Sequence, residues 1–453
     1  MLAHLNSLLV SAKLVFSVGG AREGATLLSF DRQVAEIVMT KQDVSMVGFG
    51  RRTSVHAAWQ WVQTHCETLS SEISSLEMAA GRVLAEDILS DCNVPGFARA
   101  MMDGFATLAT DIGGATDFSP VQLKLVGEAW PGQPINRTVQ QGEAVQVMTG
   151  APMPAGADVV VPVEMAERLE QPGKPDETVR VSASLPAGKH VGNIGEDIAV
   201  GQKVLPRGRR LRPQDLGVLS SIGFPQVPVV KRPKVRLCLT GNELLPAGSH
   251  PEKYRITDAN SPLLRPLIQR DGGDCLFDGI TPDDPDAILE VLQQPADVIL
   301  VSGGSSVGAE DYAPQLIQKW GELPIHGISM RPSSPAGLGK IGQALVFLLP
   351  GNPVSCFCAY DFFAGRAIRT LAGRPKEWPY ARTRACLRFD LSSKLGRLDY
   401  ARVKLVNGEV EPVAIGGASV LSSTTRADGF VLVDENTEGH AAGTEVEVYL
   451  YES

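Results

Sequence analysis

Short apolar segments alternate with helical patterns between residues 229 and 371, and this alternation limits the fold more than any other feature of the chain. Strand and helix segments are told apart by the period of their apolar residues, which is two in a strand and about 3.6 in a helix. The alternation predicts right-handed βαβ crossovers and a parallel sheet covered by helices on both faces. We expect strands at 235–240, 274–280, 298–302 and 344–349, and helices at 261–270, 285–293, 312–320 and 354–371.

The chain outside this region carries two different β patterns and some helical turns. Residues 94–186 contain short apolar runs broken by Gly and Pro, which predicts an antiparallel β module. After residue 374 the helical patterns stop, and alternating apolar and polar residues are typical of a small β-barrel. We expect barrel strands at 383–389, 400–406, 429–433 and 445–451. Before the α/β region we expect three helical segments: one that begins after Ser54 as its N-cap, one at 76–84 and one at 215–222.

These patterns predict a multidomain α/β plus β fold, with a parallel-sheet α/β domain, an inserted β module, a helical linker and a C-terminal β-barrel. A chain of 453 residues has room for four domains at roughly 100–200 residues each. Residues 1–47 have weak periodicity. We expect them to be either a poorly ordered extension or the result of a gene start placed too far upstream, with Met39 or Met46 as the true initiator. The expected bounds are 48–93 and 187–227 for the linker, 94–186 for the β module, 228–374 for the α/β domain and 375–453 for the barrel.

The charge of the chain restricts the classes of ligand. Its formal net charge is −9, which argues against a general nucleic-acid binder and against an electrostatic membrane anchor. An anionic ligand must therefore meet a local concentration of positive charge. The seven cysteines show no disulfide framework, and no apolar stretch approaches the roughly 20 residues of a membrane span, so we expect a cytoplasmic protein.

Three Gly-rich loops follow predicted strands of the α/β domain, at 240–243, 302–308 and 349–355. Ligands of open parallel sheets bind outside the carboxyl ends of the strands, where such loops offer free backbone N–H groups to phosphate oxygens. Three loops at one edge predict an anion site. None of them matches the P-loop or the dinucleotide-binding fingerprint, which argues against a simple NTPase or dehydrogenase.

Carboxylates accompany these loops at Glu243, Asp283 and Asp311. Mg²⁺ in proteins is usually held by one or two carboxylates together with substrate oxygens, so Asp311 is a candidate ligand. Helix N-capping is the alternative role, and the sequence Asp283-Asp284-Pro285 fits it well.

Several motifs together resemble the molybdopterin molybdenumtransferases, the MoeA and gephyrin E-domain family. The resemblance covers about residues 48–453, and the motifs occur along the chain in the same order as in the family. The motifs are RAMMDGFA at 99–106, MTGAP at 148–152, GEDI at 195–198, SGGSSVG at 302–308 with EDY at 310–312, and LPGNPVS at 349–355.

The resemblance implies an elongated, MoeA-like homodimer in which the α/β domain of one subunit and the β module of the other share an active site. The implied substrates are molybdate and adenylylated molybdopterin, and the implied reaction is Mg²⁺-dependent molybdenum insertion with release of AMP. A molybdopterin adenylyltransferase is the implied upstream partner, and neither nucleic acid nor membrane is implied.

The resemblance also assigns roles to residues that match the family motifs. The catalytic positions are Asp103, Thr149, Asp197, Glu243 and Asp283, and the metal ligands are Asp311 and Glu243. The substrate-binding positions are Gly303, Gly304, Ser305, Arg331, Pro350, Gly351, Asn352, Pro353, Ser355, Arg402 and Ser422, with Ser423 as the alternative to Ser422.

The chain departs from the family pattern at positions that are charged in the family. Asn242 replaces an Asp, Arg331 and Ser334 replace two Lys, and Gly327 replaces a further common Lys. A charge-assisted hydrogen bond is worth roughly 1.5–3 kcal/mol against about 1 for a neutral one, so the loss of Lys at 334 predicts roughly ten-fold weaker oxyanion capture. Two other functions stay open: a weakly active or non-catalytic paralogue that binds pterin phosphate or acts as a dimeric scaffold, and a molybdopterin adenylyltransferase.

Overall fold

The computed structural model describes residues 52–169, 177–304 and 311–451. The predicted extension at 1–47 lies outside the described residues. The helices are α1 Val55–His65, α2 Pro213–Ser221, α3 Asn260–Asp271, α4 Pro285–Gln293, α5 Tyr312–Trp320, α6 Pro353–Ala359, α7 Gly365–Leu371 and α8 Ser422–Thr425, with 3-10 turns at Leu76–Met78 and Val163–Met165 and a π-helix at Tyr360–Ala364.

The strands are numbered along the chain. The first group is β1 Ser71–Ser75, β2 Ile88–Leu89, β3 Arg99–Ala100, β4 Gly104–Thr107, β5 Val121–Ala129, β6 Glu143–Val147, β7 Val159–Pro162, β8 Ala166–Leu169, β9 Thr178–Val181, β10 Val191–Gly192, β11 Lys203–Leu205 and β12 Gln226–Val230. The second is β13 Lys234–Thr240, β14 Leu244–Leu245, β15 Ile256–Thr257, β16 Asp274–Leu276, β17 Ile280–Thr281, β18 Val298–Ser302, β19 Glu322–His326, β20 Met330–Arg331, β21 Gly337–Ile341 and β22 Ala344–Leu349. The third is β23 Ala381–Leu387, β24 Leu391–Ser392, β25 Leu398–Val406, β26 Glu409–Ala414, β27 Gly429–Val433, β28 Gly439–His440 and β29 Glu445–Leu450.

The sheet of the α/β domain runs in the order β16-β13-β18-β22-β21-β19. Its first four strands are parallel, as the alternation predicts. The sheet also extends beyond the predicted parallel strands, because β21 and β19 add an antiparallel edge beside β22 that was not predicted. The strand expected over 274–280 is also interrupted: β16 and β17 pair separately with β13, and a short non-strand segment separates them.

Helices cover both faces of this sheet, which confirms the prediction from the alternation. Alternate residues of β18 enter two different cores, because successive side chains of a strand point to opposite faces. Val298 and Leu300 pack with α1, α3, α6 and α7, whereas Ile299 and Val301 pack with α4 and α5. Ser54 caps α1 as predicted, since its hydroxyl accepts a hydrogen bond from Ala57 N–H at 3.2 Å.

The helix predicted over 354–371 is continuous but changes its winding in the middle, where the π-helix separates α6 from α7. A π-turn shifts the pattern of backbone hydrogen bonds, so its carbonyl groups need other partners. Two indoles supply them: Trp59 Nε1 donates to Phe362 O at 2.8 Å and Trp378 Nε1 donates to Asp361 O at 2.9 Å. The π-helix is thereby tied to α1 and to the segment that leads into the barrel.

The β module contains a six-stranded sheet in the order β7-β4-β6-β5-β9-β8. Most of its pairs are antiparallel, as predicted, and β5 with β6 is the parallel exception. Two-stranded ladders, β1 with β12 and β2 with β11, build much of the linker. The helix expected over 76–84 is wrong apart from its first three residues, since a turn at Gly81 places Arg82 and Val83 in pairing with the 209–211 segment.

The C-terminal strands close into a barrel, which confirms the predicted architecture. The ring runs β25-β26-β23-β29-β27 and returns to β25. The short strand β20, which belongs to the chain of the α/β domain, pairs in parallel with β25. This pairing attaches the segment that carries Arg331 to the barrel. Among the described residues, no helix combines the length and apolar character that a membrane crossing requires.

Candidate functional site

Three Gly-rich loops meet at one edge of the α/β sheet, as predicted. The strands β13, β18 and β22 are parallel neighbours, and each ends in one of these loops. Their carboxyl ends therefore lie side by side. This arrangement is the crevice in which open α/β sheets bind ligands.

The backbones at this edge approach each other too closely for side chains. A Cβ atom on Gly303 would lie 2.2 Å from the carbonyl oxygen of Thr240, and Gly303 has φ of +98°. A Cβ on Gly351 would lie 3.6 Å from Gly303 Cα, so the second and third loops are adjacent. Only glycine fits at position 303 without displacing backbone. Ser305, a predicted substrate contact, lies outside the described residues.

Asn260, at the start of α3, links two of the loops and was not predicted from the sequence. Its Nδ2 donates to Ser302 Oγ at 2.9 Å and to Gly351 O at 2.8 Å. Its Oδ1 is buried without a partner among the described residues, and so is Thr240 Oγ1. Buried polar atoms normally have partners, so two unpaired acceptors at one edge indicate a place for a ligand.

Asp258 orients the same turn and was also not predicted. Its carboxylate accepts the N–H groups of Asn260 and Ser261 at 2.8 and 2.9 Å, together with the Ser261 hydroxyl. The signal in the sequence is an Asp two residues before Asn-Ser at a helix start, which is typical of a side chain that caps the turn.

The predicted carboxylates occupy different parts of the edge. Asp283 and Asn242 exchange hydrogen bonds, with Asp283 Oδ2 accepting from Asn242 N–H at 2.8 Å. Asp311 precedes α5, and its Oδ1 is 3.7 Å from the Cβ position of Gly304. Glu243 is exposed beside Gly241. Within the residues that the structure describes, no three His, Cys, Asp or Glu side chains converge as a metal cage.

The loop 349–355 leads into α6 and presents its first turn to the rest of the site. Pro350 is buried, Gly351 and Asn352 are exposed, and Asn352 O accepts the N–H of Cys356 at 2.9 Å. Pro353 occupies the first helical position, where its missing N–H costs nothing. Ser355 is buried, and its carbonyl oxygen accepts the hydroxyl of Ser333 at 2.6 Å. The segment 331–335 therefore contacts the first turn of α6.

Arg402 on β25 is the largest fully buried side chain of the described residues. One guanidinium nitrogen, Nη2, donates to Gly416 O, while Nε and Nη1 have no partner among the described residues. The neighbouring segment contacts α6, because Val354 N–H donates to Ala418 O at 3.0 Å. Ser334 Oγ is a further buried atom that has no partner in the part of the chain that the structure describes. Ser422, by contrast, is exposed at the start of α8.

The electrostatic environment also places Arg402 beside α6. Burial raises the pKa of the Cys358 thiol well above its usual range, and the positive charge of Arg402 acts in the opposite direction. A buried guanidinium that lacks a carboxylate partner is costly, since burial removes the hydration of the charge. An anion bound at Nε and Nη1 would offset that cost.

Arg331 is engaged by the barrel. Its Nη2 donates to Asp399 Oδ2 at 2.5 Å, and Ser393 Oγ donates to the same oxygen of this buried carboxylate at 2.8 Å. Arg397 Nε lies 3.0 Å from Asp399 Oδ1 and forms an ion pair with it. The structure thus shows Arg331 as half of an ion pair that attaches the segment 331–335 to β25. Its expected role as a substrate contact stays a prediction.

Asp103 and Thr149 come together on the β module, as the resemblance implies. Asp103 Oδ1 accepts both the N–H and the hydroxyl of Thr149 at 2.7 Å. These bonds, the backbone one first, hold the pKa of Asp103 below its usual range. Arg99 forms an ion pair with Glu196 at 2.8 Å, one residue before Asp197. All three contacts lie within the β module and the turn that follows it.

Three family profiles match most of the described chain. The MoeA N-terminal region (domain I and II) matches residues 53–223, a probable molybdopterin binding domain matches 237–370, and the MoeA C-terminal region (domain IV) matches 384–451. The molybdopterin molybdenumtransferase of Haemophilus influenzae is 30% identical over 389 residues, which are 83% of this chain and 93% of that protein. Molybdopterin molybdenumtransferase 2 of Mycobacterium tuberculosis is 31% identical over 388 residues, with the same shares of 83% and 93%.

A solved structure agrees with these sequence matches. The crystal structure of the molybdopterin biosynthesis MoeA protein from Pyrococcus horikosii superposes with a TM-score of 0.76 at 31% identity, covering 89% of this chain and 100% of that one. The predicted MoeA-like architecture is confirmed by this likeness and by the order of the matched regions. The chain belongs to the MoeA family of molybdopterin molybdenumtransferases.

Proposed function

We propose that this chain inserts molybdenum from molybdate into adenylylated molybdopterin and releases AMP in a Mg²⁺-dependent step. The strongest support is the guanidinium of Arg402, which is fully buried and has two nitrogens that find no partner in the described ranges of the chain. A buried cation with free donors suits a small oxyanion such as molybdate, because guanidinium N–H groups bind oxyanions with charge-assisted hydrogen bonds.

The oxyanion pocket that we propose is formed by Arg402, Ser334 and Ser355, with Ser422 at its edge. Two contacts connect the surroundings of Ser334 and Arg402 to the first turn of α6, which contains Ser355. Next to Ser334, the Ser333 hydroxyl donates to the Ser355 carbonyl oxygen. Arg402 donates to Gly416 O, and nearby Ala418 O accepts the N–H of Val354. Pro350 and Pro353 keep the loop before α6 stiff. The exposed Gly351 and Asn352 lie toward the sheet edge.

The adenylylated end of the pterin is proposed to bind at the sheet edge. Gly303, Gly304 and Gly351 have no side chains to block approach to the backbone there, and Thr240 and Asn260 supply polar atoms that lack partners among the described residues. Phosphoryl chemistry of this kind relies on positioning and electrostatic stabilisation rather than on a covalent nucleophile. The residues at the edge fit that requirement.

The described residues fit Mg²⁺ in the manner common to phosphate substrates, in which one or two carboxylates and substrate oxygens share the ion. Asp311, beside Gly304, is the carboxylate that we propose to hold it, with Glu243 as the second ligand. Bound there, Mg²⁺ would neutralise charge that develops on the phosphoryl oxygens. Asp283 orients Asn242 through a hydrogen bond. We propose that this pair takes over the role of the Asp that the family carries at position 242.

Asp103, Thr149 and Asp197 are proposed to act on the site of a second subunit in a homodimer. The contacts of Asp103 with Thr149 lie within the β module, and this part of the chain also carries several exposed apolar side chains. Val163 N–H donates to the backbone carbonyl oxygen of Asp103 at 3.0 Å, and Val163 is exposed. Contiguous exposed apolar side chains are typical of protein interfaces. The exposed apolar residues of this region are Phe97, Met101, Met102, Val163, Met165 and Ile194.

Mixed dimers test this sharing of the site. If Asp103 serves the partner's site, mixing Asp103→Asn and Arg402→Met chains at a molybdate concentration too low for Arg402→Met alone restores about a quarter of the wild-type sites, because half of randomly formed dimers contain one intact site. No recovery after verified subunit exchange would contradict a shared site. We further propose a cytoplasmic location, a molybdopterin adenylyltransferase as upstream partner and the domain bounds predicted above.

AMP release tests the function directly. The full chain is incubated with adenylylated molybdopterin and Mg²⁺, with molybdate and tungstate in parallel, and AMP is quantified by chromatography. We expect AMP release that requires the oxyanion and is abolished by chelating Mg²⁺. An ATP-dependent adenylylation of free molybdopterin would instead favour the adenylyltransferase, and activity only in an Asn242→Asp, Ser334→Lys chain would favour the non-catalytic paralogue.

A further inference from the structure

The segment 331–335 contains a backbone conformation that its residue does not favour. Ser333 has φ of +83°, the left-handed region, which glycine adopts readily and serine does not. Its side chain is 2% exposed, so the hydroxyl is enclosed by protein. A strained residue persists only where its surroundings hold it in place, and such residues cluster at binding sites.

The hydroxyl of Ser333 is what holds this residue. It donates to the carbonyl oxygen of Ser355 at 2.6 Å, a contact between segments that are 22 residues apart. The backbone around it is also fixed, since Ala336 N–H donates to Ser333 O at 3.0 Å and Ile328 N–H donates to Ser334 O at 2.8 Å. The segment is therefore attached to α6 through one side-chain hydrogen bond.

A second attachment holds the other end of the segment. The ion pair between Arg331 and the buried Asp399 connects it to β25, the strand that carries Arg402. The segment thus spans from the barrel to the first turn of α6. Ser334, whose buried hydroxyl has no partner, follows the Ser333 attachment directly.

We propose, on the basis of the molybdenum-insertion function, that Ser333 is a positioning residue for oxyanion binding. Its hydroxyl fixes the segment against α6 so that the neighbouring Ser334 hydroxyl is held at the oxyanion pocket. Residue 334 of this chain is a neutral hydrogen-bond donor. Its contribution to oxyanion binding depends on its position more than the contribution of a charged side chain would, because hydrogen bonds weaken steeply with angle. Loss of the Ser333 attachment therefore weakens oxyanion binding without touching Arg402.

Two variants separate positioning from stability. Ser333→Gly removes the hydroxyl and relieves the backbone, whereas Ser333→Ala removes the hydroxyl and keeps the unfavourable φ. We expect thermal unfolding of Ser333→Gly near the wild-type temperature and a lower temperature for Ser333→Ala. Both variants should bind molybdate roughly five-fold more weakly, the equivalent of one neutral hydrogen bond.

The measurement is the dissociation constant for sodium molybdate, and for sodium tungstate in parallel, by titration calorimetry on the full chain. Ser221→Ala is the matched control, because it removes a serine hydroxyl that donates to a backbone carbonyl, Val218 O, at 2.8 Å outside the site. We expect no change in its molybdate affinity.

The outcomes separate this inference from the function on which it rests. Wild-type affinity in both Ser333 variants, or weakened binding only in the less stable Ser333→Ala, would show a merely structural serine and overturn the positioning role. Molybdate binding without molybdate-dependent AMP release would overturn the enzymatic function alone. A wild-type chain that binds neither oxyanion would overturn both.

Discussion

Replacement of Arg402 by methionine removes the charge on which the proposed oxyanion pocket depends and keeps a long unbranched side chain. Arg402 is fully buried, and Nε and Nη1 are free to donate to an anion. Each charge-assisted hydrogen bond contributes roughly 1.5–3 kcal/mol. Contributions from one guanidinium are not additive, so we expect a combined loss of about 2 kcal/mol, which is roughly a thirty-fold increase in the molybdate dissociation constant.

The same substitution should have a much smaller effect on the ligand-free protein. It removes the charge-assisted bond to Gly416 O, worth roughly 1.5–3 kcal/mol, but it also removes a buried cation that has no carboxylate partner among the described residues, and the relief of that burial offsets most of the loss. The free energy of unfolding without molybdate should therefore fall by no more than about 1 kcal/mol. Stabilisation by added molybdate should be present in the wild type and largely absent in Arg402→Met.

Titration calorimetry with molybdate and chemical unfolding with and without molybdate measure these two effects. Lys404→Met is the matched control, since Lys404 is an exposed cation on the same strand. It should leave the molybdate affinity within about two-fold of wild type, as surface charges are screened by solvent. An Arg402→Met chain that binds molybdate within three-fold of wild type would refute the assignment of the pocket.

Other substitutions test separate parts of the account. Gly303→Ala would place a methyl group 2.2 Å from Thr240 O and should abolish AMP release, whereas Gly342→Ala, a control at φ of +59° with open space around the Cβ, should keep it. Ser334→Lys should strengthen molybdate binding roughly ten-fold in calorimetry, because a charged donor replaces a neutral one; unchanged affinity would place residue 334 outside the pocket. Thr149→Val should raise the pKa of Asp103 toward its usual value, measurable by NMR titration, and reduce AMP release, because one of the two bonds that favour the carboxylate is lost. Burial alone would raise the pKa of Asp215, but hydrogen bonds from Arg212 and Arg209 outweigh burial and hold that pKa far below its usual value. The Asp215 carboxylate therefore stabilises the fold above about pH 4 and loses that contribution at lower pH. Asp215→Asn should lower the free energy of unfolding by about 1–3 kcal/mol at pH 7 and by clearly less at pH 3. An equal loss at both pH values would contradict the assignment.

Local periodicity in the sequence predicts those helices and strands whose structure is determined by side chains within the element itself. The bounds of α4, α5, β18 and β22 agree with the predicted ranges, because caps, apolar spacing and Gly or Pro at the ends all lie within the element. The two-residue strand β20 shows the opposite case. Its pairing depends on β25, about 70 residues away, and no pattern within two residues indicates a partner.

The antiparallel edge of the α/β sheet escapes prediction for a related reason. The strand β21 contains Gly337 and Gly339, which weaken any strand signal, yet the glycines are required there because a Cβ on Gly339 would lie 2.1 Å from Glu322 O of β19. The close approach of the two backbones explains the glycines only once the pairing is known.

The candidate site was predicted as a set of loops and carboxylates, and less well as a set of contacts. The strand pattern correctly places the starts of three loops at one sheet edge, whereas the hydrogen bonds between Asp103 and Thr149 were not predicted. The hydrogen bonds of Asn260 join residues 42 and 91 positions away, and the burial of Arg402 results from the packing of α6 against the barrel. Such long-range packing leaves no periodic trace in the sequence.

The central claim is that this chain couples oxyanion capture to cleavage of adenylylated molybdopterin. Its most direct test is AMP release by the purified full chain with adenylylated molybdopterin, Mg²⁺ and increasing molybdate. The account predicts release that saturates with molybdate and that Arg402→Met shifts to roughly thirty-fold higher molybdate concentrations. AMP release that is absent at saturating molybdate, or that proceeds equally well without it, would contradict the account.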